Sequence, residues 1–480
     1  MTRRDKPYDI VIVGAGVVGC AVARKLSRYR VRIAVVEKEP DVSMATSCRN
    51  SGVLHSGINY EPGTNRARLS VRGNAMMDAL CEELKVPIRR IGKLTIALDE
   101  RDLPLLYKQR EQGFENGVPG MEIMNREEMR RIQPGVSGIL GLWTPTSAVI
   151  SPYGLTIALA GNAYANGAEF FLSCAVESVD VRGDGAFIVS AVRHGKRETL
   201  VASALVNSAG LHADEVSRML GVGGKEIYAC RGEYFVLDKR LDGSIGTLLY
   251  PVPRPKDPGL GIHLTPTVDG NILIGPSADY ISGGDREDYA TTAPVMETLR
   301  REGRRLLPSL VAGDYIRNFS GNRPKTTPPE KGGNADFVID EPLPGFIRLQ
   351  GIESPGLTSA PAIAEEVRDL IGARIPLYEK ENFIASRGGF TERFAELSME
   401  TKVELARADP DYGETVCRCE GVTKREVRDA IENPLGARSL KGIKYRSRAM
   451  MGRCQGGFCL PRIARMLRED YGRDIFGYMN

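Results

Sequence analysis

Residues 8–40 read YDIVIVGAGVVGCAVARKLSRYRVRIAVVEKEP. A short apolar run, a glycine turn, a stretch with helical spacing and a second apolar run predict a βαβ unit of about 30 residues. Its glycines are Gly14, Gly16 and Gly19. The first permits the tight turn, the second lets a pyrophosphate approach the backbone, and the third lets helix pack on strand. The helix N-terminus then offers free N–H groups and the positive end of its dipole to the phosphates. Glu37 closes the second strand, with Lys38 beside it, at the remove of roughly 20 residues from the turn where such an acid is expected. A carboxylate there can accept from both ribose hydroxyls and disfavours a 2′-phosphate, leaving FAD or NAD as the nucleotide.

At 480 residues the chain has room for further cores, because single cores stop growing near about 250–300 residues. A hydrophobic content of 42% with 26% charged residues is that of an ordinary globular protein, and a net charge of +4 gives no reason to expect nucleic acid. No apolar run of about 18 residues occurs, and the chain passes from a charged start directly into a strand, so a cytoplasmic protein is expected, at most peripheral at the inner face of the membrane. Of nine cysteines, Cys20, Cys48, Cys81, Cys174 and Cys230 are scattered among small or apolar neighbours and read as reduced, buried thiols.

Two later segments return to the nucleotide sheet. ALVNSAGLHADEVSRML (204–220) is a buried strand, a small-residue turn at Ala209 and Gly210, and a helix. GFIRLQGIESPGLTSAPAIAEEVRDLI (345–371) repeats the pattern, its helix opening around Gly356, Leu357 and Thr358, where N–H groups can face an anionic flavin edge. Nucleotide-domain pieces recurring at 8–85, 150–220 and 320–372 favour FAD over NAD, whose domain is usually one contiguous block.

Four motifs add a resemblance: TSCRNSGVLHSGINYEPGTNRARL (46–69), RGEYFVL (231–237), LLYPVPRPKDPGLGIHLTPTVDGNILIGPSA (248–278) and GIESPGLTSAPAI (351–363). Together, over residues 7–372, they resemble the D-amino-acid-oxidase-type flavoprotein superfamily, in the branch of L-2-hydroxyglutarate oxidases and FAD-dependent glycerol-3-phosphate dehydrogenases. The resemblance implies an FAD-binding domain built from 7–89, 151–220 and 320–372, interleaved with a substrate domain from 90–150 and 221–319 whose antiparallel sheet roofs the flavin. KLTIAL, EYFVLD and NILIGP alternate as such strands should. It also implies FAD contacts from Thr46, Ser47, Asn50, Ser51, Gly52, Val176 and Gly321, in addition to the glycine turns.

Oxidising an alcohol requires removal of a hydroxyl proton, transfer of the adjacent hydrogen as hydride, and cations to hold an acidic substrate. The chain has four histidines. His55 lies in the flavin-contacting segment and His263 in GIHLTP; each reads either as a catalytic or substrate-contacting group or as a hydrogen-bonded structural residue. His194, in VRHGKRE, reads as a solvated hairpin. Tyr250, in LLYPVP, joins the site by resemblance, and Arg323 matches the family's GxRP arginine that grips an anionic group. Two departures weaken an assignment to glycerol 3-phosphate: Asn59 stands where the aerobic glycerol-phosphate enzymes carry arginine, and ESPGLT lacks their lysine. Cys48 carries no sign of a covalent flavin link.

The last four cysteines are grouped, Cys417-x-Cys419 and, further on, Cys454-x4-Cys459. Four thiolates suit zinc or an iron–sulfur cluster, but zinc favours two CxxC knuckles. Residues 416–459 resemble the bacterioferritin-associated-ferredoxin type of [2Fe-2S] domain, which also ends the large subunit of anaerobic glycerol-3-phosphate dehydrogenase. That implies a small helical domain at 413–472 and a polar linker at 373–412. Arg438, Lys441, Lys444, Arg446, Arg448 and Arg453 surround the cluster, either as a solvated face or as a docking patch.

The expected fold is therefore α/β, a Rossmann-like FAD-binding domain interleaved with an antiparallel-sheet substrate domain plus a small helical [2Fe-2S] domain. The expected function is FAD-dependent dehydrogenation of a small anionic alcohol, glycerol 3-phosphate or an L-2-hydroxy acid. Electrons would leave through the cluster to a second flavoprotein subunit, a quinone or another acceptor. An amine or amino-acid dehydrogenase, or a non-catalytic electron-transfer subunit, is the alternative.

Overall fold

The opening run Tyr8–Val13 is a buried strand in the middle of an eight-stranded sheet. It pairs in parallel with Ile33–Val36 on one side and Lys196–Asn207 on the other. Glu169–Phe171 and Phe346–Gln350 extend the parallel region, while Cys174–Val181, Phe187–Arg193 and Val338–Leu343 add antiparallel strands. The central strands read as unbroken apolar runs because both faces are covered. Ile10 and Ile12 enter one core and Val11 and Val13 the other. On the first side lie the helices Val17–Leu26, Pro152–Ala165 and Gly356–Gly372. The computed structural model describes residues 6–253, 260–282, 284–308, 310–311, 314–387 and 392–478. The part of the 248–278 motif at 254–259 lies outside the described residues.

A second, nine-stranded sheet contains the strands Lys93–Ala97, Leu140–Thr144, Tyr228–Leu237, Leu248–Pro251, His263–Pro266 and Ile272–Gly275. Leu94, Ile96, Leu249, Leu264 and Ile274 enter a core beneath the helix Ala293–Leu306, which contributes Met296, Leu299 and Leu306. The sheet is antiparallel as expected except at one seam, where Leu248–Pro251 and Lys93–Ala97 pair in parallel. These strands come from segments far apart in the chain, so no hairpin dictates their direction. The boundary expected at 319/320 also differs. Tyr315–Lys325 runs through it as one strand against Tyr228–Leu237, so Gly321 and Arg323 belong to the roof sheet. Ten facing positions outweigh the local Gly-x-x-Pro signal.

The C-terminal part has its own core, with Val416, Val427, Ile443, Ile463 and Leu467 fully buried. Its helices are Lys424–Glu432, Leu440–Ser447 and Leu460–Tyr471, the first closed by a capping box between Thr423 and Glu426. This unit is clamped to the rest of the chain. Arg446 pairs with Asp41, both almost fully buried, with one bond of 2.7 Å. Glu420 accepts from Lys239 at 2.7 Å and from Arg448 at 2.9 Å, and Arg448 also pairs with Asp269. Arg453 bonds Asp238 at 2.6 Å, and Tyr153 and Tyr445 stack at 4.7 Å. Three of the six basic residues are thus occupied within the chain.

The segment before this unit is also held down. Lys380 N–H donates to Arg28 O at 2.9 Å and Asn162 Nδ2 donates to Ile384 O at 3.0 Å, ahead of a helix at Met399–Ala408. No helix among the described residues is long and apolar enough to cross a membrane.

Candidate active site

At the nucleotide end, Gly14 has φ +99°, and a Cβ there would stand 2.6 Å from Ser208 O. A Cβ on Gly19 would stand 2.0 Å from Gly14 O, so only glycine lets the helix sit this close to the turn. Glu37 accepts from Ala15 N–H at 2.6 Å and from Glu39 N–H at 2.9 Å. Burial pushes its carboxyl above the ordinary range, and these two bonds partly offset that.

One cavity of about 480 Å³ reaches from this turn to the roof sheet. Its nucleotide end is lined by Gly14, Gly16, Glu37 and Lys38, and its flank by Val176, Ala209 and Gly210. Thr46, Ser47, Asn50 and Ser51 line the middle with Gly356 and Leu357, and Gly321, His55, Tyr250, His263 and Arg323 complete the far end. The residues fit FAD on two grounds: the turn keeps its bare backbone at Gly14 and Gly16 open to the cavity, and the cavity continues from it to a second, polar end. Three predicted contacts stand behind the wall instead. Gly19 packs under the turn, Gly52 packs against Ile150 O, and Thr358 Oγ1 accepts from His55 N–H at 2.9 Å, anchoring the histidine's backbone. Lys38 lines the cavity but is already paired with Glu287 at 2.5 Å.

The roof end is chemically distinctive. His263 is 3% exposed and its Nδ1 lies 2.9 Å from Gly261 O, which can only accept. The proton is therefore on Nδ1, and the bare Nε2 has no hydrogen-bond partner. His55 Nε2 lies 3.3 Å from the Ser354 hydroxyl and its Nδ1 is without a partner. Burial first, then the charges of Lys93 and Arg323, push His263 down to about 3 despite its bond to Gly261. Burial first, then Lys93, His263 and Arg66, also lowers His55 well below the usual imidazole range. Both rings are neutral near pH 7 and each keeps a nitrogen able to accept a proton.

Arg323 donates to Ser277 O at 3.0 Å and to Cys230 O at 3.5 Å, and among the described residues it meets no carboxylate. Its charge stands open to an anion in the cavity. Arg66, Glu353 and Ser354 also line this end. Arg66 is paired with Glu353 at 3.6 Å, and Glu353 with Lys325 at 3.1 Å. Sequence reasoning passed over Arg66 although it lies inside the 46–69 motif, and passed over the buried Lys93, which reads as the polar member of an alternating strand.

The four grouped cysteines meet as two pairs, Cys417 with Cys459 and Cys419 with Cys454. No three His, Cys, Asp or Glu side chains among the described residues converge as a site for one metal ion. Two pairs suit two irons, each with its own thiolates, better than one zinc. The Cys459 thiol holds Cys417 at about 6 against its burial, helped by the N–H groups of Glu420 and Met450, and the Phe458 N–H lowers Cys454. Thiolates with backbone donors are the form that ligates iron. Cys419 and Cys454 are exposed, Cys417 and Cys459 buried.

The profile of the FAD dependent oxidoreductase family, DAO, matches residues 9–370, and that of the BFD-like [2Fe-2S] binding domain matches 415–469. Over 473 residues the chain is 38% identical to a glycerol 3-phosphate dehydrogenase of Caloramator mitchellensis, covering 98% of this chain and 95% of that one. It is 31% identical over 407 residues to a mitochondrial L-2-hydroxyglutarate dehydrogenase of Arabidopsis thaliana, covering 76% and 84%. The FAD-bound, dithionite-reduced L-α-glycerophosphate oxidase of Mycoplasma pneumoniae superposes with a TM-score of 0.73 at 28% identity, covering 80% of this chain and 98% of that one. A dinucleotide cradle, a roofed polar cavity and two cysteine pairs therefore belong to one protein: the chain is a member of the DAO family of FAD-dependent oxidoreductases, of the glycerol-3-phosphate and hydroxyacid dehydrogenase type, with a BFD-like [2Fe-2S] domain at its C-terminal end.

Proposed function

We propose that the protein oxidises a small anionic secondary alcohol, glycerol 3-phosphate or an L-2-hydroxy acid, to the corresponding ketone and releases the electrons through its cluster to a separate acceptor. The observation that carries this reading is the meeting, in one cavity, of two neutral imidazoles with bare nitrogens and an arginine without a carboxylate. FAD, when bound, supplies the hydride acceptor. Arg323 binds the substrate's phosphate or carboxylate, and the hydroxyl proton passes to His263 Nε2 or to the proton-free nitrogen of His55. The buried walls exclude water from the developing charge. Gly14, Gly16, Glu37, Ser47, Ala209 and Leu357 hold the nucleotide and flavin.

Cys417, Cys419, Cys454 and Cys459 hold the cluster, and the clamped seam keeps it on the FAD-binding body. An oxidase that reduces dioxygen directly has no need of a one-electron carrier. A second flavoprotein subunit, or a quinone reached from the membrane surface, is the acceptor this arrangement favours.

The test is an anaerobic titration of the holoenzyme with glycerol 3-phosphate, L-2-hydroxy acids and imino acids, following flavin absorbance. Bleaching by one of the first two is expected. Bleaching by imino or amino acids alone would replace this reading with an amine dehydrogenase. In Cys454→Ser the substrate should still bleach the flavin in a single turnover while steady turnover with the acceptor is lost.

A further inference from the structure

The face of the roof sheet that brings Tyr250 and His263 to the cavity continues behind its wall, and the register shows what that face carries. Lys93 opposes Thr144 on one side and Leu248 on the other, and Thr95 opposes Tyr250. Leu249 opposes Leu264, which sets Tyr250 beside His263 and Leu248 beside Thr265. Alternation sends Leu94, Ile96, Leu249 and Leu264 into the core and leaves Lys93, Thr95, Thr144, Tyr250, His263 and Thr265 on the other face. A row of such residues on an exposed sheet would need no comment, but all six are buried, none more than 3% exposed. The three threonine hydroxyls, Tyr250 OH and His263 Nε2 have no hydrogen-bond partner.

Lys93 is the group hardest to account for by stability. At 1% exposure, it makes no hydrogen bond or ion pair among the described residues. Its Nζ stands 5.2 Å from the centre of the Tyr250 ring. His263 stacks on the same ring at 3.8 Å, and the strand order places Lys93 and His263 on opposite sides of Tyr250. An ammonium taken out of water without a partner weakens the fold, and the attraction of one ring face offsets only part of that. Glu353, which lines the cavity, is occupied by Lys325 and Arg66.

We propose that Lys93 is a positioning residue for the reaction: its unpaired ammonium, across the Tyr250 ring from His263, adds to burial in keeping a ring nitrogen of His263 and of His55 open to the substrate hydroxyl. The inference rests on the histidines being the proton acceptors. Arg323 on its strand and Arg66 on the helix Asn65–Leu84 act in the same direction, while Tyr60 and Tyr234 face Tyr250 as neutral phenols. The arginines are charged at every working pH. Lys93, which burial pushes down to about 7, is the member of the group that can switch. Replacing it with an uncharged side chain should let both imidazoles protonate more readily.

With four histidines in the chain, ¹⁵N-histidine-labelled holoenzyme permits a resolved NMR titration. In the native protein His263 should remain neutral to about pH 5 and His55 should titrate below the ordinary imidazole range. In Lys93→Met, or Lys93→Gln if the first does not fold, their midpoints should rise by about one pH unit or more, and Lys93→Arg should restore native behaviour. The acid limb of substrate-driven flavin bleaching should move with them. A native His263 titrating near 6.5, or variant curves that superpose on the native ones, overturns the proposal. So does a rate loss equal at every pH that arginine does not rescue, since that marks a packing role. A shifted titration with an unmoved acid limb overturns the histidine-base reading instead, and with it the task given to Lys93.

Discussion

Cations at two places in this molecule are treated in opposite ways. At the seam of the C-terminal unit, Arg446, Arg448 and Lys239 each meet a buried carboxylate, Asp41 or Glu420. At the roof of the cavity, Arg323 and Lys93 meet none among the described residues. Breaking a buried pair leaves an uncompensated charge, so the seam is committed to holding two bodies together. An unpaired buried cation does the reverse: it gives up stability and keeps a field directed at whatever enters. Architecture is therefore to be read from the paired charges and chemistry from the unpaired ones.

The contrast can be tested from both sides, and the largest effect lies at the cluster. Cys454→Ser should take the iron content from about two per chain to none and leave FAD bound. The seam pairs do not run through the cysteines, so the unit should stay docked by limited proteolysis. One zinc and no iron in the native protein would discard the cluster. Arg446→Met should cost about 3 to 5 kcal/mol by leaving Asp41 buried and unpaired, and adding Asp41→Leu should recover most of it. Denaturant unfolding of the two variants would show this, and equal loss in both would remove the pair from the account of the seam.

Arg323→Ala should behave in the opposite way. Having no ionic partner to strand, it should leave the thermal midpoint nearly unchanged and raise the apparent substrate constant by roughly 10- to 150-fold, the value of a charge-assisted contact of about 1.5 to 3 kcal/mol. Arg323→Lys should rescue only part, because one ammonium cannot reproduce a bidentate fork. A constant that does not move would place the anion elsewhere.

The smallest effect is a difference in acid sensitivity. His263 is held at about 3 in the folded chain and titrates near 6.5 when unfolded. Between those values the unfolded chain binds a proton that the folded one refuses, so stability falls as pH drops below about 6.5, by at most about 1.4 kcal/mol per pH unit per histidine. The seam behaves otherwise: against its burial, Arg448 and Lys239 hold Glu420 below the ordinary carboxylate range, and its contribution is lost only as pH falls below about 4.5. His263→Gln should make the stability curve shallower between pH 6.5 and 5, where His55 still contributes its own share, while leaving the decline below 4.5 in place.

Much of this was legible in the chain because it is local. The turn around Gly14, Gly16 and Gly19, the acid at Glu37 and the spacing of the four cysteines each occupy a short stretch, and their chemistry follows from that spacing. His55, His263 and Arg323 were reached through motif resemblance, and the fold brings all three to one cavity wall. Arg66 was missed inside a quoted motif because nothing nearby in the sequence marks its partner Glu353, which lies in a distant segment of the chain.

Lys93 shows where sequence reading stops. The pattern K-L-T-I-A determines that Lys93, Thr95 and Ala97 share a face and that Leu94 and Ile96 share the other, since side chains alternate across a strand. It does not determine which face meets water. A polar face ordinarily reads as solvated, and here the histidine-bearing segment and the neighbouring strands close over it. The same holds for the six basic residues around the cluster, whose composition suits a solvated face and a docked one equally. Asp41, Asp238 and Asp269 decided the matter for three of them, and all three acids come from the nucleotide and roof segments far earlier in the chain. Periodicity and spacing specify elements and the chemistry held within them, whereas burial and charge pairing depend on which distant surfaces meet, and only the tertiary structure supplies that.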